Sequence, residues 1–348
     1  MVAALNAIAH FLVDWTCVCA LYSGGAEGQA LAMAVVLYNT LAFSTQCVVG
    51  LLLDVPARKR RLVPFCGMWQ AAGMFLVVLG ALAPAGLIPK VIVFALGNSL
   101  FHVAGGMVTL EKSAGKAAPL GVFVAPGAFG VTLGTLWPQM RTWAAILLAL
   151  AAFACAAVYK RNSAAEDNAD SESSGGLALP KIPVLPVVLL TAAVAVRAIG
   201  GSAAEFTWKS GAAEALLLTL FVFLGKALGG LASDRAGAGR MSSVTIPVAA
   251  LLTAFLASSM PASLIGQLLL NLSMPVTLWL LYRLMPQDPG LAFGLAASAL
   301  WPGTIFGMYI KLTGPAAKAL IILCFLFGLF AVLYSERIIK GGKDHEKK

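Results

Sequence analysis

Residues 50–61 read GLLLDVPARKRR, and residues 230–240 read GLASDRAGAGR. Each is a short polar stretch after a long apolar run, with an Asp four residues beyond a Gly and Arg close behind. Asp54 and Asp234 correspond at an offset of 180 residues, as do Arg60 and Arg240. Further along, Asn98 matches Asn271, Gly121 matches Gly294, Gly130 matches Gly303 and Gly134 matches Gly307, all at an offset of 173. Two copies of one unit, running in the same direction, predict a parallel repeat. A substrate site at the midplane between the copies, with rocking as the working motion, follows from that architecture.

The rest of the chain fits this reading. Of its 348 residues 60% are hydrophobic and 11% charged, and the mean hydropathy is +0.89. A water-soluble domain carries about 25% charged residues, so a soluble enzyme with a hydrated surface is excluded. A disordered or fibrous chain is excluded by the same apolar excess. What remains is an all-α polytopic membrane protein, because unbroken apolar runs do not suit the alternation of a membrane barrel. At about 20 residues per span plus a short loop, the length predicts twelve transmembrane helices. They are expected near 2–23, 28–53, 62–84, 89–110, 117–138, 141–159, 183–207, 212–233, 242–259, 262–284, 289–310 and 316–336. The domain organisation is then a six-helix half at 1–160, a Ser- and acid-rich linker at 161–182, a second six-helix half at 183–338 and a tail at 339–348.

Basic residues set the orientation. Seventeen of the 24 Lys and Arg fall in loops on one side or in the tail, five fall on the other side, and Arg197 and Lys226 lie inside spans. The positive-inside rule then places both termini and the linker in the cytoplasm. The net charge of +9 is a record of topology and calls for no nucleic acid. All six cysteines sit in apolar runs and read as small buried hydrophobes, with no metal site expected. No cleavable leader is expected, since the start MVAALNAIAHFLVDW has no basic region and carries Asp14.

The two loops resemble the signature G-x-x-x-D-R-x-G-x-[GR]-[RK] of the major facilitator superfamily. The second copy is nearly complete, whereas the first has Val55 in place of Arg and Ala57 in place of Gly. Residues Gly121, Ala125, Pro126, Phe129 and Gly130 are similar to that superfamily's antiporter motif, with two glycines replaced. His10-Phe-Leu-Val-Asp14 and Leu100-Phe101-His102 resemble the fosmidomycin-resistance branch, with Val103 where that branch has Pro. The resemblance implies the major facilitator fold, a monomer in a bacterial-type inner (plasma) membrane, and transport by alternating access. It also implies that Asp54, Arg58, Arg60, Asp234, Arg235 and Arg240 form a cytoplasmic gate held by charge-assisted bonds.

Ionisable groups in mid-span cost about 2.5–3.5 kcal/mol on insertion scales, so they are functional candidates by default. Asn6, His10 and Asp14 recur every four residues on one helix face. Asp14 is the candidate proton-coupling carboxylate, with His10 as its relay partner; the alternative is a fixed structural pair. Asn98 and His102 are likewise four apart and read as a substrate contact and a second relay member, or as interhelical polar glue. Arg197, Lys226, Glu205, Asn39, Gln46, Asn271 and Trp301 complete the candidate substrate-binding set. Two intramembrane cations favour an anionic or zwitterionic solute, Arg in particular because its fork is always charged. Their neutralisation by Asp14 or Glu205 is the alternative.

The function expected is proton-coupled secondary transport of a small organic solute, with a proton gradient as the driving force and no cofactor. A proton-driven exporter of drugs or antimetabolites, or an uncoupled facilitator, is the alternative. An intramembrane enzyme is disfavoured because the sequence has no HExxH and few histidines, and an ATP-driven pump because there is no GxxxxGK[ST] loop.

Overall fold

The computed structural model describes residues 2–58, 62–166 and 182–345. Arg60, in the first signature loop, and most of the 161–182 linker lie outside the described residues. Among the described residues all regular structure is helical, and twelve helical stretches are long and apolar enough to cross a membrane. They are α1 (Val2–Tyr22), α2 (Gly28–Ala57), α3 (Leu62–Leu82), α4 (Leu87–Glu111), α5 (Ala118–Leu136), α6 (Pro138–Lys160), α7 (Val184–Ser202), α8 (Ala212–Ala236), α9 (Ala238–Phe255), α10 (Met260–Leu284), α11 (Pro289–Tyr309) and α12 (Gly314–Gly341).

The count matches the expectation, and most ends agree to a few residues. One of the larger differences is functional. α7 stops at Ser202 instead of reaching 207, directly after Gly200-Gly201, whose backbone freedom disfavours further helix. Three spans are interrupted inside the apolar run. α5 is broken at Ala125-Pro126 and α11 between Ser298 and Trp301, in each case beside a proline that removes a ladder hydrogen bond. α2 carries a wide turn at Thr40–Ser44. There Ser44 Oγ donates to the Thr40 carbonyl at 2.5 Å and Thr45 Oγ1 to the Leu41 carbonyl at 2.6 Å, a competition for backbone acceptors that loosens a helix.

The chain divides into two compact units. One comprises Met1–Ala114, Pro126–Lys181 and Gln287–Gly294; the other comprises Gly115–Ala125, Ile182–Pro286 and Leu295–Lys348. The opening turns of α5 and α11 therefore each belong with the helices of the other sequence half. The signature aspartates, described below, are what hold them there.

Within the first unit α3 and α4 pack with their backbones close. A Cβ placed on Gly73 would lie 2.8 Å from the Gly97 carbonyl oxygen, and one on Gly97 would lie 2.7 Å from that of Gly73. Small residues allow such approach, and in hydrocarbon it is packing and interhelical hydrogen bonds that hold helices together. The hydrogen bonds are supplied by a buried network. Asn6 on α1 donates to Thr109 Oγ1 on α4 at 3.1 Å, while its Oδ1 accepts from Gln70 Nε2 of α3 at 3.0 Å and from the Tyr159 hydroxyl of α6 at 2.7 Å. One carboxamide thus ties four helices. Asn6→Leu should cost about 1–3 kcal/mol, the range for stranding buried polar partners. Tyr159→Phe should cost about 0.6 kcal/mol, the mean for one interhelical bond in a membrane protein. Thermal unfolding of the detergent-purified chain checks both, and equal losses would show that the network is not centred on Asn6.

Candidate functional site

The His10, Asp14 and His102 side chains converge in the first unit. α1 presents His10 and Asp14 one turn apart, and α4 presents Asn98 and His102 one turn apart, so two helical faces close on one another. His10 Nε2 lies 3.2 Å from Asp14 Oδ2 and 2.9 Å from His102 Nε2, and His102 Nε2 lies 3.7 Å from Asp14 Oδ1. Asn98 Nδ2 donates to Asp14 Oδ1 at 3.2 Å and to the Tyr38 hydroxyl of α2 at 3.1 Å. The cluster is nearly sealed: the side chains of His10 and Asp14 are 8% and 13% exposed. Gly127 on α5 leaves the space beside it free, since a Cβ there would fall 2.5 Å from both Asp14 Oδ2 and His10 Nε2.

Proton positions follow from what each partner can do. His102 Nδ1 lies 2.9 Å from the Asn98 carbonyl oxygen, which can only accept, so Nδ1 bears a hydrogen. In neutral His102 the Nε2 is then an acceptor. His10 Nε2–H is the donor facing it, and it has a second acceptor in Asp14 Oδ2. With both imidazoles neutral the cluster carries the single negative charge of Asp14. One added proton brings it to zero, and any of three adjoining atoms can receive it. The three groups have ligand atoms within 4.8 Å of one another and could also hold a metal ion.

The remaining predicted residues are dispersed. Asn6 shares the helix face of His10 and Asp14 but belongs to the structural network above. Asn39 and Gln46 each donate one amide hydrogen to their own helix, at the Val35 and Ala42 carbonyls, and Asn271 does the same at Gln267. Glu205, expected within span 7, is exposed in the loop after α7. Asp14 is engaged by His10, His102 and Asn98. Lys226 on α8 and Trp301 at the second segment of α11 are half-buried. Arg197, half-buried on α7, donates Nη1–H to Ser273 Oγ on α10 at 3.0 Å.

The signature loops act through helix ends. In the first unit the buried Asp54 accepts the Gly290 and Leu291 amides, at 2.8 and 2.7 Å, and so caps the start of α11. Arg58 pairs with Asp288, which precedes that start. In the second unit Asp234 accepts the Ala117 and Ala118 amides, at 2.8 and 2.9 Å, at the start of α5. Free amides and the helix dipole make both ends natural carboxylate sites. Arg235 and Arg240 are exposed. Both aspartates bond to a helix end, and Arg58 pairs with a different acid. Asp288 had a readable signal, since Asp before Pro-Gly is a helix-start pattern. Tyr38 and Ser273 had none, because a single hydroxyl in an apolar run carries no periodicity.

No family model and no curated protein sequence matches this chain. Solved structures do. The chain is similar to the transporter FucP in its outward conformation, with a TM-score of 0.63, 10% identity, and coverage of 95% of this chain and 98% of that one. A variant of the Escherichia coli fucose:proton symporter FucP gives 0.62 at 11% identity, over 96% and 98% of the two chains. A bacterial homologue of the iron transporter ferroportin, outward-facing, gives 0.59 at 13% identity, over 99% and 100%.

The two caps differ in burial, Asp54 being buried and Asp234 exposed, and salt screens only exposed charge effectively. Asp54→Asn should therefore lower the thermal midpoint more than Asp234→Asn does, and raising salt to about 1 M should erase the loss for Asp234→Asn alone. Equal and equally salt-sensitive losses would contradict this assignment. The chain has the major facilitator fold.

Proposed function

We propose that this protein is a proton-coupled secondary transporter of a small organic anion or zwitterion, working by alternating access. The observation that carries the proposal is the sealed His10–Asp14–His102 cluster. A lone carboxylate in hydrocarbon is expensive, and a carboxylate linked through His10 to a second imidazole forms a site that a single proton neutralises. Loading and unloading that proton changes the charge that must move through the low-dielectric interior, which is the requirement for coupling. Tyr38, which receives a hydrogen bond from Asn98, and Cys17, whose sulfur lies 3.7 Å from Asn98 Nδ2, are further titratable groups at the cluster. The fold likeness to a chain described as a fucose:proton symporter supports transport and a proton as the coupling ion.

The intramembrane Arg197 supports an anionic cargo. The positive-inside bias supports cytoplasmic termini in a bacterial-type inner membrane, and the fold supports a monomer with no resident cofactor. In this reading Asp54, Arg58, Asp234 and the exposed Arg235 and Arg240 stabilise a closed cytoplasmic gate. Asn98 serves the relay by orienting Asp14, and Lys226 and Trp301 remain candidates for the substrate path. Export of drugs or antimetabolites driven by inward proton flow uses the same parts.

A transition-metal cation as cargo is the second reading, favoured by the two imidazoles and one carboxylate within reach of one ion. Proton flux in sealed liposomes holding the purified chain and an internal pH dye tests all of these. Organic anions, zwitterions and hydrophobic cations are the panel, with Mn²⁺ as the metal arm. The expected result is substrate-triggered proton movement that Asp14→Asn abolishes and His102→Gln slows at least tenfold. Flux indifferent to Asp14→Asn would sink the relay, and Mn²⁺ uptake without an organic substrate would favour the second reading.

A further inference from the structure

Zinc binds imidazole nitrogen and carboxylate oxygen at about 2.0–2.2 Å and holds four ligands in a tetrahedron, which sets neighbouring ligand atoms about 3.3–3.6 Å apart. In the first unit the Nε2 atoms of His10 and His102 are 2.9 Å apart. Asp14 turns Oδ2 toward His10 at 3.2 Å and Oδ1 toward His102 at 3.7 Å. Movements of about half an ångström bring these atoms to the zinc spacing. A coordinated ion lies inside the contact radii of its ligands, so it needs no cavity of its own. Gly127 nonetheless keeps room on one side. A Cβ there would lie 2.5 Å from both Asp14 Oδ2 and His10 Nε2, so the space it leaves is close to bonding distance from two ligand atoms at once.

The surroundings hold the ligands in a suitable form. An imidazole that binds metal donates its other ring N–H to a carbonyl or carboxylate, and His102 Nδ1 does so to the Asn98 carbonyl at 2.9 Å. The Asn98 side chain donates in turn to Asp14 Oδ1 at 3.2 Å, so one residue orients two of the three ligands. His10 frees its Nε2 lone pair by carrying its hydrogen on Nδ1, a tautomer change that costs no net proton. The single negative charge of Asp14 favours a cation. Two imidazoles select a zinc-class ion over Mg²⁺ and Ca²⁺, which take oxygen ligands, and Mn²⁺ stands below zinc in the usual order of affinity.

We propose that His10 Nε2, His102 Nε2 and the Asp14 carboxylate bind one zinc-class ion, with a fourth position left for water, and that the bound ion inhibits the transporter. The ion is an inhibitor and not cargo. All three ligands, and Asn98 with them, lie on α1 and α4 of one unit, so rocking carries them together and does not part them from the ion. The lone pairs that hold the ion are those that would receive the coupling proton. The inhibition therefore rests on the proton-coupling reading, whereas the binding does not.

Binding is read by calorimetry on the full-length chain in detergent, purified without a histidine tag, with Zn²⁺, Mg²⁺ and Ca²⁺ as probes. One Zn²⁺ per chain is expected, bound at least a hundredfold more tightly than the other two. Asp14→Asn and His102→Gln should each weaken it at least a hundredfold. Asn98→Leu, which keeps the backbone carbonyl but loses the bond to Asp14, should weaken it about tenfold. His345→Gln removes the third histidine of the chain, in the tail, and should bind as wild type does. Co²⁺ on the wild-type chain gives a readout that needs no variant: the strong visible absorption of a four-coordinate ion is expected, and the weak absorption of a six-coordinate one would overturn the site. Zn²⁺ bound no more tightly than Mg²⁺, or bound equally by Asp14→Asn and His102→Gln, would also overturn it. In sealed liposomes, Zn²⁺ at ten times its dissociation constant should cut coupled proton flux about tenfold by mass action. Flux untouched by bound Zn²⁺, or Zn²⁺ accumulating inside as cargo, would overturn the inhibition. Zn²⁺ bound as expected by a chain that gives no coupled flux with any solute would sink the transport reading and leave the site standing. Coupled flux from a chain that ignores Zn²⁺ would sink the site alone.

Discussion

An apolar solvent offers no hydrogen bonds, so polar groups inside the spans are best placed when a partner within the protein receives them. This constraint organises the structure. It explains why Asn6, Gln70, Thr109 and Tyr159 meet at one point in the first unit, and why Asn39, Gln46 and Asn271 fold their amides back on their own helices. It also separates two kinds of polar residue that look alike in sequence. Groups whose donors and acceptors are matched hold helices together. Groups left with surplus protons or charge remain open to something that arrives.

An ionisable group in each unit has such a surplus. In the first, His10 Nε2–H faces two acceptors, His102 Nε2 and Asp14 Oδ2, so the cluster has fewer protons than places for them. In the second, Arg197 has more donors than acceptors. In the proposed function the first receives the coupling proton and the second supports an anionic cargo.

The repeated aspartates show what the duplication preserves. Asp54 and Asp234 each cap the start of an interrupted helix, through two backbone amides apiece. Because the capped amides are backbone, the contact survives divergence in the side chains around it. That explains why Val55 and Ala57 can depart from the second copy's pattern while the carboxylate stays. Among the described residues only the first copy adds an ion pair, Arg58 with Asp288, so the two loops share one physical device and differ in its reinforcement.

The helix count, the duplication and the candidate pair His10–Asp14 were legible in the sequence. All three depend on short-range regularities: apolar run length, a constant offset, and spacing of four on one helix. The partners of those residues were not. That Asn6 leaves the cluster, that Asp54 caps α11 while Arg58 takes Asp288, and that Glu205 lies in the loop after α7 depend on rotation and on where α7 ends. Sequence periodicity gives the face of a helix but not what the face meets. In an apolar chain nearly every face looks alike, so the partners were decided by tertiary packing, where a few ångströms separate a satisfied polar pair from a site that waits for a ligand.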